Sequence, residues 1–355
     1  MKILIIQQKM IGDVLTSTIL FEALKEKYPK AELHYLINSH THPVIENHPF
    51  VNKCLLFTPS IEKNNLKLFP FIASIRKEKY DIVIDIYSKL SSNLISLFSK
   101  SKIKISYYKK HTSSIYTHTI KRSKHTETAT GLEISNRLQL LTPLGINKKS
   151  IKPKIYLTSK EITNAKTHLT NNGVNTKTPL FMISVLGSAK NKTYPLPYMA
   201  KIIDAIVANT NAEILFNYIP NQVTDAKTIF DFCKKETQKY IHFNIFGKNL
   251  REFLAITKHC NALIGNEGGA VNMAKALDIS TFSIFSPWID KEGWNMFEDG
   301  KTNTSVHLKD YKPELFNAET LKVFKNESEL LYKKFLPELI IPALNTYLQQ
   351  FKTKV

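Results

Sequence analysis

The stretch Leu263-Ile264-Gly265-Asn266-Glu267-Gly268-Gly269-Ala270-Val271-Asn272-Met273-Ala274-Lys275-Ala276-Leu277, followed by Thr281-Phe282-Ser283-Ile284-Phe285-Ser286-Pro287, decides the fold class. A short apolar run enters an acidic, glycine-containing turn, an Ala/Met/Leu pattern of helical spacing follows, and a second apolar run closes the unit. Strand, loop, helix, strand is the building block of a parallel sheet. The paired glycines remove side-chain bulk where the helix begins, so backbone N–H groups and the positive end of the helix dipole can meet an anion directly. Taken alone, a Gly-Gly pair more often serves only to bend a βα turn. The rest of the chain bears on that choice.

At 355 residues the chain exceeds one ordinary core and predicts two domains, residues 1–150 and 151–325, with a helical tail at 326–355. A composition of 43% hydrophobic and 22% charged residues is that of a soluble globular protein. Met1–Ile6 is too short for a signal sequence, and no apolar run reaches the length of a membrane span, which predicts a cytoplasmic protein. Cys54, Cys233 and Cys260 are odd in number and far apart, as reduced core thiols are, and fit neither a disulfide framework nor a zinc site. The net charge of +19, from 49 basic and 30 acidic side chains, favours polyanionic partners: nucleic acid, anionic lipid or a phosphorylated glycan. Lysine written on solvated faces is the bland alternative.

Read in order, the chain alternates strand and helix from its start. Lys2–Ile6 is an apolar strand; Gln7–Gly12 turns into a helix over Asp13–Lys27, with Leu15, Ile19, Leu20 and Leu24 on its buried face. Strands at Ala31–Ile37, Lys53–Phe57 and Asp81–Asp85 alternate with helices near His42–Asn47 and Leu66–Glu78. Ligands of such doubly wound sheets sit at the carboxyl ends of the strands. Asp13 lies at such an end, as a candidate site carboxylate or as an acid complementing the helix dipole.

Lys89–Lys124 carries nine Lys or Arg residues and no Asp or Glu, interleaved with Tyr107, Tyr108, His111, Tyr116 and His118. Tyr107–Lys124 reads as a long loop or pair of loops, cationic, aromatic and mobile, suited to an anionic partner held by charge and planar stacking; a solvated loop without a partner is the alternative. A helix over Glu133–Leu144 and a basic linker at Lys148–Lys154 close the first half. The pattern then restarts, with strands at Leu180–Val185, Glu213–Asn217 and Ile241–Phe243 and helices at Tyr198–Asn209, Asp225–Lys234 and Leu250–His259. Two similar domains imply a cleft, the default ligand site. The segment after Pro287, with Trp288, Trp294 and Tyr311, reads as irregular, and Glu319–Val355 as helical with interruptions at Pro337 and Pro342.

Four segments in this order resemble glycosyltransferase family 9, the heptosyltransferases of lipopolysaccharide assembly: Ile-Gly-Asp-Val at Ile11–Val14, Tyr-Asp-Ile-Val-Ile-Asp at Tyr80–Asp85, Gly-Ser…Lys-Thr-Tyr-Pro at Gly187–Pro195, and Gly-Asn-Glu-Gly-Gly-Ala with Ala-Lys-Ala-Leu at Gly265–Leu277. The resemblance implies the GT-B fold, two Rossmann-like doubly wound parallel-sheet domains facing across a cleft, and sugar transfer from a nucleotide donor with inversion and without a metal or other cofactor. It implies Asp13 as general base, Lys192 as a donor-phosphate contact with Ser188 in the preceding turn, and Glu267, Gly268, Gly269 and Ala270 as the loop holding donor sugar and diphosphate. Against the family's Asp-Thr-Gly-Pro, this chain has Glu267, Gly268 and Ala270, with Asn272 where His is usual.

Inverting transfer needs a base beside the acceptor hydroxyl and a stabiliser for the departing diphosphate, and domain closure would exclude water. The partners implied are a nucleotide sugar, an anionic lipid-linked glycan acceptor and the anionic inner-membrane surface, placing the enzyme at the cytoplasmic face of that membrane. A nucleic-acid-binding α/β protein and a GT-B nucleotide-sugar epimerase are the alternatives.

Overall fold

The computed structural model describes residues 1–125, 130–316 and 321–352. The chain divides after Tyr156 into two units, each built on a parallel sheet. Strands such as Ile3–Ile6 are apolar at every position, which requires cover on both faces. In the first unit the elements are β1 (Lys2–Ile6), α1 (Ile11–Ser17), α2 (Ile19–Lys27), β2 (Glu32–Asn38), β3 (Lys53–Phe57), α3 (Pro59–Glu62), α4 (Asn65–Lys77), β4 (Ile82–Asp85), α5 (Leu90–Phe98), β5 (Ile103–Tyr107), β6 (His118–Ile120) and α6 (Leu132–Gln139). The strand order is β3-β2-β1-β4-β5-β6, all parallel. The chain winds outward from β1 to β3, returns to β4 beside β1, and winds outward the other way. Ile6 is paired with Asp85 at that reversal.

The second unit contains α7 (Ser159–Asn171), β7 (Leu180–Ser184), α8 (Leu196–Thr210), β8 (Glu213–Asn217), α9 (Val223–Phe232), α10 (Lys235–Gln238), α11 (Leu250–Thr257), β9 (Ala262–Asn266), α12 (Gly269–Ala276), β10 (Ser280–Ile284), α13 (Lys291–Trp294), β11 (Asn303–Val306), α14 (Leu321–Asn326), α15 (Ser328–Lys334) and α16 (Pro337–Leu348). The order β11-β10-β9-β7-β8 is again all parallel and reverses between β7 and β9. Phe335, Ile340 and Leu344 of the C-terminal segment join Phe181, Phe216 and Phe282 of the sheet in one core.

Several expectations need correction. The helix expected over Asp13–Lys27 breaks at Thr18, where the hydroxyls of Thr16, Ser17 and Thr18 donate to the carbonyls of Gly12, Asp13 and Leu15, each at 2.7 Å. Such back-bonding competes with the helix ladder. His42–Asn47 is mostly replaced by a 3-10 turn at Ser39–Val44. Tyr107–Lys124 is not simply loop: Tyr107 ends β5, and His118–Ile120 forms the edge strand β6. The helix expected over Glu133–Leu144 stops at Gln139 and resumes as a 3-10 turn at Thr142–Leu144. Ile241–Phe243 makes only a single bridge, Ile214 to Ile241. The segment after Pro287 contains β11, a polar strand without apolar alternation. Pro337 opens α16 rather than interrupting a helix, because its missing N–H falls in the first turn, and Pro342 lies inside that helix. Residues 319–320 and 353–355 of the expected C-terminal helical region lie outside those described.

Candidate functional site

In doubly wound sheets a ligand binds outside the carboxyl ends of the strands, at the reversal of strand order. In the second unit those ends carry Val185–Pro195 after β7 and Glu267–Gly268 after β9. Gly187 is required there: a Cβ on it would lie 2.2 Å from the Lys192 carbonyl oxygen, so the loop can close on itself only without a side chain. The Gly187 N–H donates to Thr193 Oγ1 at 3.1 Å. Asn266, fully buried, ties the two loops together. Its Nδ2 donates to the carbonyls of Ser184 and Val185, both at 2.9 Å, and its Oδ1 accepts from the Tyr194 N–H at 2.7 Å.

Gly268 starts α12 with φ +151°, and a Cβ there would meet nothing within 4 Å. No side chain caps the helix, so the first-turn N–H groups, Gly269 and Ala270 among them, face an open approach. Such a terminus attracts anions. Lys192 stands in a short turn whose Asn191 carbonyl accepts from Ser286 Oγ at 2.7 Å and from Trp288 Nε1 at 2.8 Å. Its ammonium lies 5.3 Å from the Trp288 ring centroid and 3.8 Å from Glu267 Oε1, and Lys325 approaches the same ring at 5.2 Å. Ser188 is exposed in the preceding turn. The Glu267 side chain is only 10% exposed; burial pushes its carboxyl above the ordinary range, with Lys192 opposing. Glu267 Oε1 and the Tyr332 hydroxyl are both buried without a hydrogen-bond partner. The structure therefore brings Ser188, Lys192, Glu267, Gly268, Gly269 and Ala270 to one sheet end.

In the first unit the reversal lies between β1 and β4, and Asp13 sits in the first turn of α1 beyond β1. Its Oδ1 accepts from Arg137 Nη2 at 2.7 Å, and its Oδ2 is 3.4 Å from the Met10 N–H. Arg137 comes from α6 and is buried. It donates Nε to Ser17 Oγ at 3.1 Å and Nη1 to the Glu133 carbonyl at 3.1 Å and to the Glu133 carboxylate. The Asp13 side chain is 24% exposed: Oδ1 is anchored by Arg137, and Oδ2 has, among the described residues, only the long contact from Met10. Asp13 is therefore ion-paired as well as placed at a helix N-terminus.

The basic region is more ordered than its composition implied. Tyr107 and Tyr116 are buried, so stacking on a partner is not open to them. Tyr116 donates to Asp85 Oδ2 at 2.6 Å, and Ser88 N to Asp85 Oδ1 at 2.8 Å; burial still pushes the Asp85 carboxyl up. Lys109 donates to the Ser88 carbonyl at 2.6 Å, and the Arg122 guanidinium lies 3.8 Å from the Tyr107 ring centroid. Tyr108 is the exposed ring, with Lys121 5.7 Å from its centroid. Among the described residues no group of three or more His, Cys, Asp or Glu side chains is placed to hold a metal, and no helix is long and apolar enough to cross a membrane. All three thiols are unpaired; burial pushes Cys233 up to about 12.

Arg137, Asn266, Trp288 and Tyr332 were not singled out from the sequence. Asn266 lies inside the quoted motif, but nothing linear indicates that its amide joins two loops. Arg137 is one basic residue in an amphipathic helix 124 positions from Asp13.

Residues 68–317 match the model of Glycosyltransferase family 9 (heptosyltransferase). The lipopolysaccharide heptosyltransferase 1 of Campylobacter coli is 23% identical over 299 residues, 80% of this chain and 84% of that protein. A family 9 glycosyl transferase from Veillonella parvula superimposes with a TM-score of 0.82 at 16% identity, covering 98% of this chain and 97% of its own. The E. coli ADP-heptose lps heptosyltransferase II does so with a TM-score of 0.74 at 14% identity, covering 99% of each chain.

Proposed function

The chain belongs to glycosyltransferase family 9, and from that membership and its GT-B fold we propose that it moves heptose or a related sugar from a nucleotide-diphosphate donor to an anionic, lipid-linked lipopolysaccharide-type acceptor, with inversion and without a metal ion. Membership decides for a glycosyltransferase over the nucleic-acid-binding and epimerase alternatives. ADP-heptose is the first donor to test, since it stands in the name of a structural relative.

In this reading Asp13 Oδ2 takes the proton of the acceptor hydroxyl, the freed oxygen attacks the anomeric carbon, and the bond from that carbon to the diphosphate oxygen breaks. Arg137 holds the carboxylate in place through Oδ1. The departing diphosphate meets the α12 first-turn N–H groups and the Lys192 ammonium, donors oriented before the reaction begins. Glu267 Oε1 and the Tyr332 hydroxyl, both without a hydrogen-bond partner among the described residues, are available to sugar hydroxyls. Exposed Lys89, Lys110 and Lys121 are candidates for acceptor phosphates.

One observation carries the reading: Asp13 and the Lys192–Gly268 cradle each stand at the strand-order reversal of their own sheet. Asp13→Asn keeps the side chain's shape and removes its basicity. It is expected to lower kcat by about 10³-fold while ADP-heptose affinity, read by calorimetry, is retained. Full turnover of the variant would remove Asp13 as the base.

A further inference from the structure

Helix α5 carries apolar side chains on its exposed side as well as on its buried one. Its buried side presents Ile95, which joins the core, together with Ser92, Asn93 and Ser96, and Asn93 and Ser96 join the polar network around Asp85 and Tyr116. Its outer side presents Leu90, Leu97 and Phe98, at the i, i+7, i+8 spacing of one helical stripe, while Leu94 is half-buried and packs against the core. Leu90 is 77% exposed, and Leu97 and Phe98 are each 43% exposed. Folding of this chain alone gives no reason for that arrangement, because the apolar stripe remains in water.

The neighbouring helix repeats it. Helix α4 packs beside α5 and buries Leu68, Ile72 and Ile75 on one side, yet exposes Leu66 at 81% and Phe69 at 61%, followed by exposed Pro70 and Ala73. The exposed charges on and around the two helices are largely cationic: Lys63, Lys67, Arg76, Lys77, Lys89 and Lys100. None of these six forms an ion pair among the described residues. The nearby acids are already matched, Glu62 by Lys9 and Glu78 by Lys2 and Lys53. An apolar stripe rimmed by free lysines complements a leaflet with acyl chains below anionic headgroups.

We propose that the outer faces of α4 and α5 form a docking surface for an anionic phospholipid leaflet, with Leu66, Phe69, Leu90, Leu97 and Phe98 entering the headgroup–acyl boundary and the surrounding lysines contacting phosphate. The surface continues into the candidate site. Ser91, in the first turn of α5, donates to Gln8 Oε1 at 2.6 Å, and Gln8 belongs to the loop that leads to Asp13, where Met10 is 67% exposed. An acceptor whose lipid stays in the leaflet would thus present its glycan beside the base. The proposal rests on the transfer reading only for that lipid-linked acceptor.

The test is cosedimentation of the full chain with phosphatidylethanolamine–phosphatidylglycerol vesicles and with phosphatidylcholine vesicles, without donor or acceptor. Binding to the anionic vesicles alone, weakened by salt, is expected. Leu66→Ser with Phe69→Ser, and separately Leu97→Ser with Phe98→Ser, are expected to lower the partition coefficient about tenfold each at unchanged melting temperature. Absence of wild-type binding, or equal binding by the variants, would overturn the proposal. So would a wild-type dimer that these substitutions dissociate, since the occupant would then be a second copy. Because no sugar transfer is measured, a failed transferase reading leaves this result standing, and the reverse.

Discussion

The two candidate sites, one in each unit, occupy the same topological position in their own sheets and are made of different material. In the first unit the proposed group is a side chain, the Asp13 carboxylate, held by a buried guanidinium that Glu133 also engages. In the second unit the proposed groups are largely backbone: the first N–H groups of α12 and a loop held in shape by the Asn266 amide and by the absence of a Cβ at Gly187. A base must gain and lose a proton, so it must be a side chain. A diphosphate cradle must hold charge without titrating, and peptide dipoles do that at any pH.

Three substitutions break or sharpen this contrast. The largest effect belongs to Arg137→Met, which leaves the buried side of the Asp13–Glu133 arrangement without its cation. Removing one partner of a buried pair costs about 3–5 kcal/mol, so a fall in urea midpoint without a change in m-value is expected; an unchanged midpoint would show that Asp13 is not held by Arg137. Asn266→Ala comes second. It strands the Ser184 and Val185 carbonyls and the Tyr194 N–H, at about 1–3 kcal/mol for an unsatisfied buried group, and it is expected to weaken donor binding and stability together. Loss of stability with undiminished donor affinity would separate the cradle from the Asn266 staple. Lys192→Ala is the smallest: one charge-assisted contact, about 1.5–3 kcal/mol, read as a rise in donor Kd of roughly tenfold or more by calorimetry with little change in melting temperature, because the side chain is partly exposed and its ion pair with Glu267 is loose.

Much of the fold was legible because parallel strands buried on both faces are uninterrupted apolar words. Lys2–Ile6, Lys53–Phe57 and Glu213–Asn217 were read to the residue. Two of the elements that were missed lack that signal. Helix α7 buries only Ala165 and Leu169, and β11 is Asn-Thr-Ser-Val, held by its parallel pairing with β10 rather than by its own pattern. The break at Thr18 depends on three adjacent hydroxyls choosing carbonyls over water. In the basic region the count of charges was readable, but the burial of Tyr107 and Tyr116 was not, since burial depends on the distant Asp85 that Tyr116 meets.

By itself the sequence determined the alternation of strand and helix, the restart of that pattern, and the short glycine-bearing turns at which a carboxylate and an anion cradle are offered. These are local properties, fixed by spacing and by what a residue lacks. The tertiary structure alone decided that Arg137 grips Asp13, that Asn266 joins two loops more than 70 positions apart, and that α5 leaves Leu90, Leu97 and Phe98 exposed. Each of those depends on which surfaces meet after the chain has wound back on itself, and strand order, unlike strand identity, is not written in any contiguous stretch.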